Sequence, residues 1–325
     1  MVFRFLVAIG AGCAAALLFA VSAQTSPLAM ALAYLAPLPI MIATLGWGLD
    51  AGAVAAAVSV VALGLLAEPV SGLMFAASVA GPAWALAAFA VAPFGRYFAR
   101  GSGPTARASV GSIVILAAVI GMLGAAAALT AIIVIYGGYA KGFSKVSEVL
   151  AALIGDAFEG GPESLPAREF AQSLVRFGPA AIAASTMLML CVNLYAAARS
   201  TQLSRRLGRA WPDLPTSLSL PWSLGVVLLA CAAGSYALPA PASQYFSVGA
   251  GGLGGAFALQ GLAVAHALSR GLKMRPVMLV ALYACCVLRA QYTLPVVAAL
   301  GVIDAFARLR ARPAFLPAPK PNMHK

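Results

Sequence analysis

The sequence predicts an all-α fold, a polytopic transmembrane helix bundle, and three observations carry that prediction. Hydrophobic residues make up 62% of the 325 positions and charged residues 9%, whereas a soluble domain carries about 25% charged residues. Mean hydropathy is +0.94. The apolar residues fall in long runs, with the basic residues clustered between them. Such a chain lacks the polar surface needed to face water all round. Its 32 glycines and abundant alanine suit close helix packing in a bilayer, where small residues let backbones approach.

A helix of about 20 residues crosses the hydrocarbon core. The apolar runs are 5–23, 28–48, 52–67, 70–94, 109–136, 177–198, 221–239, 246–269 and 276–305. They predict about 8–10 membrane segments in an integral membrane domain over residues 1–310. The first run reads either as a signal peptide ending at Val21-Ser22-Ala23 or as an uncleaved helix. The second reading needs no extra step, because so many helices follow. Pro37 and Pro39 impose a break or kink on the second run, since neither supplies a backbone donor. The third run is short and joins the second near Asp50 and Gly52, as a tight hairpin or a part-way crossing. The last run divides into two short crossings at Arg289, Gln291 and Tyr292, an arrangement that requires tilt or bilayer thinning.

The net charge is +12. Arg4, the clusters Arg96–Arg107, Arg199–Arg209 and Arg270–Arg275, and the tail with Arg308 and Arg310 form an alternating pattern. Placing them all on one side predicts two cytoplasmic termini. No basic face interleaves with aromatics, so nucleic acid is excluded as a partner, and the bilayer is the expected one. The loop 137–176 then lies outside, where Lys141, Lys145, Arg168 and Arg176 face a slight excess of acids.

Within that loop Val146, Val149, Leu150, Leu153, Ala157 and Phe158 recur at helical spacing, opposite Lys145, Glu148, Asp156 and Glu159. They predict an amphipathic helix, either a lid over a cavity or an interfacial spacer, ended by Gly160-Gly161-Pro162. A further helix starts near Pro166 and runs into the sixth run. Residues 311–325, with Pro313, Pro317, Pro319 and Pro321, predict a disordered, basic cytoplasmic tail.

Motifs for catalysis are lacking: there is no metalloprotease helix, nucleophile elbow or phosphate loop. The 5 cysteines show no metal or redox spacing and there are 2 histidines, so no metal, cofactor or enzyme activity is expected. Polar residues at membrane depth carry the remaining signal, since each costs free energy unless partnered. Asn193 and Gln260 read either as bonds between helices or as the lining of a polar cavity. Asp304 reads as the partner of Arg308 one turn later. The Pro37–Pro39 break reads as a kink or as a binding site, since broken helices persist where protein or a cavity satisfies the freed groups.

Some of these residues also carry a resemblance. Pro37-Leu38-Pro39 with Leu45-Gly46-Trp47-Gly48, Asn193-Leu194, Leu220-Pro221-Trp222, Gln260-Gly261-Leu262-Ala263-Val264, and Gly301-Val302-Ile303-Asp304 resemble motifs of the YybS-like bacterial membrane proteins, domain-of-unknown-function family 2232. The acidic loop at 148–169 departs from that pattern. The family is grouped with proteins that look like substrate-capture subunits of energy-coupling-factor transporters. The resemblance implies a bacterial inner-membrane protein with a small-molecule ligand and a partner subunit. The expected function is a small-molecule transporter or its substrate-binding subunit, with Pro37, Pro39, Asn193, Gln260 and Asp304 as candidate substrate-binding residues. The alternative is a membrane scaffold that recruits partners.

Overall fold

The computed structural model describes residues 2–23, 26–91, 108–155, 161–207 and 211–311. The predicted tail from residue 312 onward, the cluster Arg96–Arg107 and positions 156–160 lie outside them. Every regular element among the described residues is helical. In order these are α1 (Val2–Ala20), α2 (Pro27–Tyr34), α3 (Pro37–Trp47), α4 (Leu49–Leu66), α5 (Pro69–Phe75) and α6 (Gly81–Val91), then α7 (Val110–Ile135), α8 (Tyr139–Ile154) and α9 (Leu165–Leu203). The chain continues through α10 (Leu214–Ser217), α11 (Trp222–Ala237), α12 (Ala242–Leu268), α13 (Arg275–Leu288) and α14 (Ala290–Ala307).

Eight helical stretches among the described residues are long and apolar enough to cross a membrane, with α2–α3 and α5–α6 each counting as one. The helices α11 and α13 are apolar but shorter. Large apolar side chains also cover the outside: Leu65 is 82% exposed, Val134 72% and Tyr236 90%. Water would penalise that surface, whereas lipid tails solvate it. The interior is built largely from alanine, with Ile40, Met41, Phe75, Leu86, Leu190 and Phe257 as its bulky members.

In the middle, α9 packs on α3, α7, α8 and α12, and α12 packs on α7, α9, α11 and α14. Glycine permits the tightest of these approaches. A Cβ at Gly261 would collide with the Val297 carbonyl oxygen, and one at Gly301 with that of Phe257.

Several local signals act as read. Pro166 lies in the first turn of a helix that continues unbroken through the sixth run, and Ser164, not singled out in the sequence, caps it through the Ala167 amide. The second and third runs form the tight hairpin expected, but its turn is Gly48 alone, at φ +106°, a conformation reserved for glycine, while Asp50 and Gly52 lie inside α4. The last run breaks at Arg289. Two details differ from the sequence reading. The amphipathic helix starts at Tyr139 and buries Gly142, Ser147 and Ala151, while Val149 and Leu153 point outward at 48% and 74% exposure. Burial follows contact with α7 and α9 there: the small residues take the closest contacts, and Val146 and Leu150 are half-buried beside them. The fourth run holds a wide π turn at Ala76–Ala80, between α5 and α6.

Candidate functional site

The five candidate residues separate into two groups. In the first, Pro37 and Pro39 remove the amides that would serve the carbonyls of Ala33 and Leu35. The chain compensates by tightening: Ala36 N donates to Ala33 O at 3.1 Å, and Leu38 N donates to Leu35 O at 3.0 Å. That shift takes the Leu38 amide away from Tyr34 O, its helical partner. The Asn193 amide nitrogen on α9 donates to this carbonyl at 2.8 Å and to Met189 O at 2.8 Å. Asn193 is buried, and it fastens the broken second span to α9.

In the second group, Gln260 is fully buried on α12. Its Oε1 accepts from the Leu220 amide at 2.8 Å, and its Nε2 donates to Asp304 Oδ2 at 2.9 Å and to Gly301 O at 3.2 Å. Asp304, also buried, pairs with Arg310 rather than Arg308: Arg310 Nη2 lies 2.7 Å from Asp304 Oδ2. The expected pair with Arg308 fails for a backbone reason. Arg308 takes a left-handed conformation, φ 47°, and its amide caps the Asp304 carbonyl at 2.8 Å. The chain therefore turns back, bringing Arg310 over the carboxylate and leaving Arg308 exposed.

Arg310 also donates to the carbonyls of Pro215, at 2.7 Å, and Leu218, at 2.6 Å. The stretch Leu218–Leu220, with Leu218 and Leu220 buried, is not helical. Its peptide groups need partners from elsewhere, as any irregular backbone inside a membrane protein does. Gln260 and Arg310 supply them. Helical spacing gives no signal for Arg310, because its contact depends on the turn at Arg308.

Asp304 and Arg310 form part of the wall of a cleft of about 670 Å³, within the size range of small-molecule sites, roughly 300–1,000 Å³. Ser109, Ser112, Thr216, Ser219 and Arg308 add polar groups, and Trp222 adds an aromatic face. Ser109 caps α7 by accepting from the Ser112 amide at 3.1 Å. Gly111 is required here, since a Cβ would strike the Ser219 carbonyl. Gln260 lies directly behind the wall, bonded to Asp304. Pro37, Pro39 and Asn193 belong to the separate cluster.

Nearby, Asp213 binds Arg270 with contacts of 2.7 and 2.8 Å. The hydrogen bond from Arg270, followed by one from Thr216, holds the Asp213 carboxyl below its ordinary range. At the ends of α1 and α3, Arg4 donates to the Trp47 carbonyl, and Arg206 stacks 4.7 Å from the Trp47 ring.

Span-length helices, an apolar exterior and polar groups bonded inside define a polytopic α-helical membrane protein. The chain belongs to the family described as "Predicted membrane protein (DUF2232)", whose model matches residues 13–305. No curated protein and no solved structure matches it.

Proposed function

We propose that this protein is a bacterial inner-membrane transporter for a small molecule, or the substrate-binding subunit of one, and that the cleft at Asp304 and Arg310 is its ligand site. One observation carries the reading: the cleft wall is an ion pair tied to a non-helical segment, Leu218–Leu220, which Arg310 holds directly at the Leu218 carbonyl and Asp304 holds through Gln260 at the Leu220 amide. A ligand that competes for Arg310 or Asp304 loosens that segment, so occupancy and backbone position are coupled. Unwound backbone beside a ligand is a recurrent device in transporters. Arg308, exposed at the rim, gives the cleft a positive charge beyond the neutralised pair. The basic clusters support cytoplasmic termini, which puts the cleft on the cytoplasmic side. The reading involves no catalysis.

The test is native mass spectrometry of the gently solubilised protein, with extraction of co-purifying small molecules. A stoichiometric metabolite that is lost in Asp304→Asn supports the proposal and identifies its class. An empty protein, or one that brings down a defined protein partner, favours a scaffold. That second reading rests on Gln260 and Asn193, whose bonds to distant backbone fix the bundle.

A further inference from the structure

A second pocket lies where the last turns of α7 meet α8, α9 and the start of α12. Its volume is about 160 Å³. Leu129, Ile132, Phe143, Val146, Leu150 and Ile182 give it an apolar lining, and no charged side chain contributes. Tyr139 also lines it, and two further polar features bear on it. Gln244 on α12 is 8% exposed, and its buried Oε1 has no hydrogen-bond partner. Pro179, inside α9, removes the amide that would serve the carbonyl of Val175, and both residues line the pocket.

We propose that this pocket binds a neutral amphiphile with an apolar body and a single hydroxyl group. The volume argues for the apolar part: a cavity of about 150 Å³ lined by similar residues takes up a benzene ring. The absence of charged lining residues argues against an ion. The orphan Gln244 carbonyl argues for a donor, because a buried acceptor without a partner costs about 1–3 kcal/mol. A hydroxyl satisfies it and can share the freed Val175 carbonyl. Helix α8 roofs the site through Phe143, Val146 and Leu150, which favours the lid over the spacer among the two readings the sequence left open for it. The inference is independent of the cleft at Asp304.

The experiment uses the full chain in phosphatidylcholine nanodiscs, photolabelled with a diazirine-bearing octanol and, separately, with its methyl ether. The alcohol is expected to label the peptides around Ile132, Leu150 and Pro179, and the ether to label them far less. Gln244→Leu should reduce alcohol labelling roughly tenfold, the equivalent of one lost hydrogen bond. Ala128→Phe, which fills the pocket from α7 and leaves every hydrogen bond intact, should abolish it. Equal labelling by alcohol and ether would overturn the proposal, showing a site for any alkyl chain. So would labelling unchanged by Ala128→Phe, or labelling confined to the lipid-facing surface.

Discussion

Asn193 on α9 donates to the Tyr34 carbonyl at 2.8 Å, at the point where the prolines have displaced the regular partner of that carbonyl. A side chain of one span therefore completes the backbone of another. Asn193→Leu should lower stability by about 1–3 kcal/mol, the cost of an unsatisfied buried carbonyl. Pro37→Ala restores the amide that serves Ala33, which lets the Leu38 amide return toward the Tyr34 carbonyl. In that background the same substitution should cost measurably less. A double-mutant cycle on thermal melting in detergent checks it; additive effects would refute the coupling.

The Asp304–Arg310 pair predicts an asymmetric response. Arg310→Ala leaves a buried carboxylate and two carbonyls without their cation, and should cost about 3–5 kcal/mol. Asp304→Asn keeps the bond with Gln260 possible and should cost less. Arg308→Ala, at an exposed position, should leave stability nearly unchanged. If Arg308→Ala were the more damaging of the two arginine variants, the assignment of Arg310 as the partner would be wrong.

Gly48 predicts a backbone effect. Any side chain at φ +106° is strained, and a Cβ there would sit 2.8 Å from the Arg4 guanidinium. Gly48→Ala should destabilise the α3–α4 hairpin by about 1–3 kcal/mol. Gly137, at φ +66° with open space around it, should tolerate alanine better. Thermal melts of both variants decide the comparison.

Asp213 predicts a pH effect. Its carboxyl is held below the ordinary range by Arg270 and Thr216, so the folded state favours the ionised form. The resulting stability is complete above the unfolded carboxylate value, about 3.9, and disappears as pH falls through the lower folded value. The pair is exposed, so the effect is small. The difference in melting temperature between wild type and Arg270→Ala should be present at neutral pH and vanish in strong acid.

Much of the architecture is legible in the sequence. Pro37 and Pro39 mark the interruption of the second span because proline has no amide to give. Pro166 marks the start of α9 from its first turn. The break in the last run falls at Arg289, the polar residue flanked by apolar ones. The amphipathic helix is legible as an element, but its inner face only in part. Gly142, Ser147 and Ala151 take the closest contacts with α7 and α9, Val146 and Leu150 sit half-buried beside them, and Val149 and Leu153 turn outward.

The candidate site divides in the same way. Asn193, Gln260 and Asp304 stand out by composition, since polar groups at membrane depth are costly and therefore informative. Their partners are a matter of tertiary structure. Gln260 reaches a peptide group 40 positions away, and Asn193 one 159 positions away. Arg310, the true partner of Asp304, sits off the helical register and is placed by the left-handed turn at Arg308. By itself the sequence determines that this chain lies in a membrane, where its helices run and where they break, because those properties depend on hydropathy and on the local chemistry of proline and glycine. The tertiary structure alone decides which polar groups meet, because donors and acceptors far apart in the chain are paired only by how the helices pack.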